Sequence, residues 1–367
     1  MAWLGTWKKR IKLDIDYTND IGASVTQFPI TIFLKAANGD TEKVFDEITT
    51  NNLKMAITTS NGTTQMYGKI EKWDNGNQVG IIHTSLAAWA ISADTSIYLY
   101  YDSAQADNST YIGLIDSAAG GTVWDSYNKL VSHQVDATTS TVKDSTANNN
   151  DGTKTSANNP LQNAAGQIGA AQTYSTDIIN HGTSATLDPA SSFTISVYAY
   201  LTSDSAVYRG MVSTSKFTDD GDKRKQFYLG TWTDRKAYFT CQKGAAGGTN
   251  FYAVSDASIY NAQKHIVGTY DGTTAKIYVN GAVQATTGTG TMAIASGYGL
   301  HSGDLYVDTA DYYWAGDLDE IRYSTGIARS AAWIKGEYNS LIDGLLAYGS
   351  EELLPTITGA AFLLQMI

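Results

Sequence analysis

The chain has 367 residues and a net charge of −11, too long for one sandwich and too acidic to suit a phosphate backbone, so two domains are expected and nucleic acid is excluded as a partner. Hydrophobic residues make up 43% and charged residues 17%, with 34 Gly and 4 Pro, which suits cores built from many short strands joined by polar turns. The single cysteine, Cys241, excludes an internal disulfide, and no apolar run reaches the roughly 18 residues that a membrane helix requires.

Residues 1–10 hold no apolar stretch of signal-peptide length, so no export signal is expected there. Alternation then begins, with Ile11, Leu13 and Ile15 on one face and Lys12, Asp14 and Asp16 on the other. Phe28 to Leu34 reads as a second strand, with Pro29 near its start where no ladder donor is lost. Val44 to Ile48, the alternating Leu53, Met55 and Ile57, Tyr67 to Trp73, and Asp94 to Tyr101 follow as further short elements. Residues 1–106 are therefore expected to form a small all-β sandwich. The opening Trp7-x-x-Arg10, then Phe28-Pro29, Phe45-Asp46-Glu47 and the closing Tyr100-Tyr101 resemble a bacterial and phage module of unknown function. That module often precedes a laminin-G-like jelly roll.

Residues 107–165 read as a turn-rich connector, with Ala147-Asn148-Asn149-Asn150-Asp151-Gly152 and Ala157-Asn158-Asn159-Pro160. The next domain is expected over 166–349. Phe193 to Tyr198 opens it, and a meander follows from His265 to Ala285. Within the meander Asn280-Gly281, flanked by Ile277-Tyr278-Val279 and Ala282-Val283, is a strong hairpin signal because both turn positions need positive φ. Gly316 to Tyr323 is a further strand, and Ser330 to Asn339 reads as one helix with Ser330 at its N-cap. Residues 350–367 read as an apolar C-terminal tail that docks on the body or forms an oligomer contact.

The order of these pieces, from Phe193 to Tyr198, through His265 to Gly272 and Ala275 to Gly281, to Gly316 to Tyr323 and the helix, resembles the laminin-G-like, concanavalin A-like jelly roll. The opening Asp144-Ser145-x-x-Asn148-x-x-x-Gly152 resembles that group's first segment, so the domain is expected to start near Trp124. The fold class is thus all-β, with two β-sandwich domains, the C-terminal one a jelly roll. The resemblance implies a scaffold that displays a glycan- or protein-binding surface, and it makes Asp319, Glu320 and Arg322 a structural signature that anchors neighbouring loops.

Asp317, Asp319 and Glu320 cluster on one strand, and two acids two apart share a face, as the acid and nucleophile of a glycosidase would. The Glu-x-Asp-x-x-Glu and Glu-x-Asp-x-Glu spacings of such enzymes are missing, so no catalytic residue is assigned. Asp304, Asp308 and Asp311 crowd one loop, and Asp219, Asp220 and Asp222 another. The first set are candidate calcium ligands, because calcium takes several loop oxygens at close range. His83, His133, His181, His265 and His301 show no ligand spacing, which speaks against zinc. Gly244 to Gly248 reads as a hairpin loop and Lys223-Arg224-Lys225 as a solvated turn. Tyr228, Trp232, Tyr312, Tyr313 and Trp314 are candidate ligand-binding aromatics, since sugar rings stack on such side chains.

The function expected from these features is a non-enzymatic structural and recognition protein of a bacteriophage particle: a tail, fibre or head-decoration component. Its partners would be other virion proteins or further copies of itself, with a cell-surface glycan as ligand and no membrane insertion. A bacterial cell-surface or secreted carbohydrate-binding protein is the alternative, and a glycoside hydrolase the third reading.

Overall fold

The computed structural model describes residues 2–136, 140–156, 159–163, 165–215, 225–243, 250–305 and 312–355. The alternation that starts at Ile11 becomes the strand Lys9–Ile15, with Ile11, Leu13 and Ile15 buried. It lies second in a sheet ordered Leu346–Leu353, Lys9–Ile15, Thr95–Tyr101, Met55–Thr58, Gln65–Asp74, Val79–Ser85, Ile30–Leu34. The apolar sides of these strands close a core that includes Phe28, Ile82 and Leu99.

Two expectations are corrected in this unit. Val44 to Ile48 lies in a helix, Glu42–Ile48, which turns Val44, Phe45 and Ile48 inward. Those positions fall on one helical face, and so short an apolar run does not distinguish helix from strand. The unit also does not end at residue 106. Leu346–Leu353 pairs antiparallel with Lys9–Ile15, placing Leu353 opposite Lys9, and Trp333, Leu345 and Leu346 join the first core. The boundary expected at 349/350 therefore falls inside a strand, and residues 351–353 are sheet rather than tail. Residues 356–367, the apolar part of that tail, lie outside the described residues.

Between these two pieces the chain builds a sandwich of two antiparallel sheets. One runs Leu161–Asn163, Ala171–Tyr174, Gly316–Thr325, Phe193–Leu201, Gln263–Tyr270, Thr274–Val279, Ala282–Val283, with Asn128–Ser132 also paired to Gly316–Thr325. The other runs Thr141–Val142, Gly152–Lys154, Ile179–Asn180, Gly299–Ser302, Arg209–Ser215, Lys225–Thr231, Lys236–Gln242, Asn250–Ser258. Their facing sides interdigitate around Phe193, Phe227, Phe239 and Tyr323. The connector is thus part of the sandwich, because it supplies Asn128–Ser132 and Gly152–Lys154. Asn280 (φ 50°) and Gly281 (φ 78°) form the tight turn of a hairpin. The Ser330 hydroxyl accepts from Trp333 N–H at the start of the helix Ala331–Leu341.

The sandwich meets the first unit across the outer side of Gly316–Thr325. Along this strand Leu318, Ile321 and Tyr323 are core residues, so the inward period is three and then two. The extra residue is a β-bulge: Ser196 faces Arg322 while Tyr198 faces Asp319, and Glu320 takes φ 48°. The bulge puts Asp319 and Glu320 both on the outer side, with Arg322 beside them. A second bulge lies across the seam, where Ile70 faces Ile82 but Lys72 faces Ile81, leaving Glu71 as the extra residue. Apolar clusters flank the seam, one of Ile81, Ile168, Tyr198 and Leu341, the other of Val123, Trp124 and Val131.

Candidate functional site

The outward face of the sheet Lys225–Thr231, Lys236–Gln242, Asn250–Ser258 carries an aromatic band. Alternation explains it: Phe227, Leu229, Phe239, Cys241 and Phe251 point into the core, which turns Tyr228, Tyr238 and Tyr252 outward. Trp232, just past the end of its strand, folds back over this face. Its ring stacks on Tyr238 with centroids 4.1 Å apart and planes 5° from parallel, and it meets Tyr252 at 5.0 Å and Tyr208 at 5.7 Å. Tyr312 extends the band from Tyr208 at 6.1 Å.

Tyr208 and Tyr252 are 40% and 39% exposed, whereas Tyr228 and Tyr238 are 4% and 8% exposed. The buried pair form the floor. Trp232 Nε1–H donates to Tyr228 Oη at 2.8 Å, and Tyr238 O–H donates to Asp234 Oδ2 at 3.0 Å. Burial, helped by that carboxylate, pushes the Tyr238 hydroxyl up to about 12. Each ring is thus fixed by a neighbour before anything docks, which limits the ordering entropy that binding costs.

The sequence-predicted aromatics divide accordingly. Trp232 and Tyr312 belong to the band, and Tyr228 underlies it. Tyr313 sits half-buried beside it, its carbonyl accepting from Arg209 Nη1–H at 2.8 Å. Trp314 is a correction: it is fully buried in the sandwich core, with Nε1–H donated to the Asp317 carbonyl, and offers no face to a ligand. Tyr208, Tyr238 and Tyr252 were missed. The alternation of Tyr238 with Phe239, and of Tyr252 with Phe251, is the signal that would have found the last two.

Of the candidate calcium ligands, Asp304 is fully buried and its Oδ1 accepts the Leu305 N–H at 2.6 Å. Asp308 and Asp311 lie outside the described residues, as do Asp219, Asp220, Asp222, Gly244 to Gly248 and Lys223-Arg224. Cys241 is fully buried and burial pushes its thiol well up.

The signature residues occupy the seam. Asp319 Oδ2 accepts from Ile168 N–H at 3.0 Å and so holds the loop before Ala171–Tyr174. Arg322 reaches Glu320 Oε2 at 2.6 Å and Glu337 Oε1, on the helix, at 3.1 Å. Opposite them stand His133, His83 and Glu71. His133 Nδ1 lies 2.5 Å from Glu320 Oε1 and 3.2 Å from Glu71 Oε2, and His83 Nε2 lies 2.6 Å from Glu71 Oε2. The two imidazoles stack at 4.7 Å. Burial lowers His133 to about 4, so its ring is neutral near pH 7. Burial opposes the charge of Glu320, but the Arg322 guanidinium and the hydrogen bond from His133 overcome it and hold the carboxylate below its usual range. Burial also lowers Lys69, beside this group, to about 8. The histidines that looked scattered in sequence are therefore in part gathered, and spacing could not reveal it because the partners are up to 187 residues apart.

The acid pair sought for glycoside hydrolysis is not arranged as a cleft. Asp317 is engaged by Asn163 and Thr173, and Asp319 is buried under the loop at Ile168.

Residues 172–335 match the family model of the concanavalin A-like lectin/glucanases superfamily, of the laminin-G type. The sandwich is a concanavalin A-like jelly roll. The match begins after the strands contributed by the connector. No curated protein sequence matches the chain. Among solved structures, the binding domain of Paraclostridial Mosquitocidal Protein 1 is similar with TM-score 0.43 and 13% identity, over 58% of this chain and 52% of that one. Domain 4 of an extracellular arabinanase from Geobacillus stearothermophilus, in complex with arabinotriose, gives 0.44 and 15%, over 57% and 97%. The sialidase carbohydrate-binding module of Ruminococcus gnavus bound to sialyllactose gives 0.35 and 15%, over 42% and 86%. The chain spans about half the length of the first of these.

Proposed function

We propose that this chain is a non-enzymatic recognition protein whose jelly roll takes a glycan or a protein surface on the aromatic band. The observation that carries this reading is the row of exposed Tyr208 and Tyr252 with half-buried Trp232 between them, on a pre-set floor of Tyr228 and Tyr238. Flat aromatic faces accept the C–H side of a sugar ring, and the adjoining Asp234 and the Arg235–Asp204 pair offer hydrogen bonds for hydroxyls. The jelly rolls among its structural neighbours include sugar-binding ones, which accords with this reading at the level of fold.

A glycan array probed with the full chain tests it. Trp232→Ala is expected to abolish retention while leaving the circular dichroism spectrum unchanged, since the ring lies over the sheet rather than within the core. Retention of the same glycans by Trp232→Ala, or by Tyr252→Ala and Trp232→Ala combined, overturns the assignment to this face.

The setting we propose is a bacteriophage particle, in which the chain serves as a tail, fibre or head-decoration component. Support comes from the resemblance of the first unit to a phage and bacterial module that precedes such jelly rolls, and from a strand-rich, Gly- and Thr-rich composition without disulfides. Peptide mass spectrometry of purified particles tests the setting. Peptides at fixed ratio to the major capsid protein are expected. Their absence from particles, with the protein on cells or in the medium, replaces this setting with that of a bacterial carbohydrate-binding protein.

A further inference from the structure

We propose that the seam between the two units is a binding site for one divalent transition-metal ion of the zinc type, held by Glu71, His83, His133 and Glu320. One donor atom from each lies within 4.8 Å of all the others. A tetrahedral zinc with bonds of about 2.0–2.1 Å spaces its ligand atoms about 3.3–3.4 Å apart. The present contacts of 2.5, 2.6 and 3.2 Å need to spread by less than about 1 Å to reach that spacing, and the longer separations, up to 4.8 Å, to close by at most about 1.5 Å. Two imidazoles and two carboxylates are a donor set that suits zinc and its first-row neighbours and does not suit calcium or magnesium, which take oxygen.

Two further observations point to an ion. Glu71 Oε1 is buried and makes no hydrogen bond, so this carboxylate has acceptor capacity that its neighbours do not use, a costly condition inside a protein. His83 Nδ1 lies 3.1 Å from Thr31 Oγ1, and Arg322 grips Glu320 through Oε2, leaving Oε1 toward the histidines. Metal-ligating side chains are oriented by such outer partners.

Both carboxylate ligands are bulge residues, re-aimed out of the regular pleat toward the same point from opposite sides. A cleft of about 340 Å³ lined by Lys69, Glu71, His133, Asp136 and Lys143 gives an ion a path to two of the four ligands. On binding, each ring donates the lone pair of its inward nitrogen and keeps its proton on the other, His83 toward Thr31.

The test uses the full chain, stripped with a chelator and dialysed, then loaded with Zn2+ or Co2+ alone. One equivalent is expected to survive gel filtration, read by elemental mass spectrometry. Thermal unfolding is expected to move up with Zn2+ concentration, and Co2+ to give a visible d–d band. Thr31→Val, which removes only the outer partner, is expected to weaken Zn2+ binding about 10–100-fold, and His133→Gln to abolish it. A folded wild-type chain that retains no ion and shows no Co2+ band overturns the site. So does undiminished binding by both variants, which would place the ion elsewhere.

Discussion

Single residues at the joints of this chain carry charges that make its stability depend on pH. Glu47 accepts from Lys9 Nζ at 2.6 Å and from Ser103, and these bonds lower its carboxyl from 4.5 to about 2. A carboxylate depressed on folding contributes its full stabilisation above the unfolded value and loses it as pH falls through the folded one. Melting temperature in the wild type is therefore expected to fall more steeply than in Glu47→Gln between pH 4.5 and about 2, the two curves converging below that. Parallel curves across this range would show that the bonds to Lys9 and Ser103 do not count. The residue scale is also where the sequence was least legible. Val44 to Ile48 shows only as a short element of an all-β unit, and Glu71 and Glu320 owe their directions to bulges. A bulge is one extra residue in one strand, and nothing in the local pattern marks it.

Elements were read with more success where a local rule settles the geometry. Ile11, Leu13 and Ile15 alternate because one side of the strand faces the core. Asn280-Gly281 closes a two-residue hairpin because both residues sit at positive φ, and Ser330 caps the helix because its hydroxyl meets an otherwise unpaired N–H. Gly281 illustrates how narrow the tolerance is. A Cβ there would stand 3.2 Å from Lys335 Cα and Tyr338 Cβ on the helix, besides the cost of φ 78°. Gly281→Ala is expected to destabilise the protein by about 1–2 kcal/mol, measured by urea unfolding. Equal midpoints for the two proteins would mean that the hairpin tip moves freely away from the helix. The helix Glu42–Ile48 escaped the same reading because its apolar residues are too few to set a period.

On the scale of the whole molecule, chain order and domain order differ. The sandwich is inserted in the first unit, whose sheet is completed only by Leu346–Leu353 after the helix Ala331–Leu341 has crossed back. No local signal marks this, since Leu346–Leu353 alternates weakly and is mostly half-exposed. A fragment of residues 1–106 lacks Trp333, Leu345 and Leu346 from its core and leaves Lys9–Ile15 as an open edge. It is expected to aggregate or to show no cooperative melt, whereas adding residues 331–355 through a short linker in place of the sandwich is expected to restore one. A cooperative melt of the fragment alone would show that the returning strand is dispensable.

That returning strand also decides how the molecule bears a pull. Leu353 lies opposite Lys9, and the Leu354 N–H donates to the Lys8 carbonyl at 2.8 Å, so Lys8 and Leu354 stand side by side at one end of a ladder. Tension applied between those two residues would act across the strands and open their hydrogen bonds one pair at a time, as a zipper opens. Tension between Lys8 and a ligand on the proposed aromatic face would take another route. It crosses the seam, where Arg322 joins strand to helix and the two bulged carboxylates meet the two histidines, and these contacts are strained together rather than in turn. The protein is therefore expected to open at lower force when pulled by these two strands than when pulled through a ligand on the proposed aromatic face, a difference that single-molecule force spectroscopy reads.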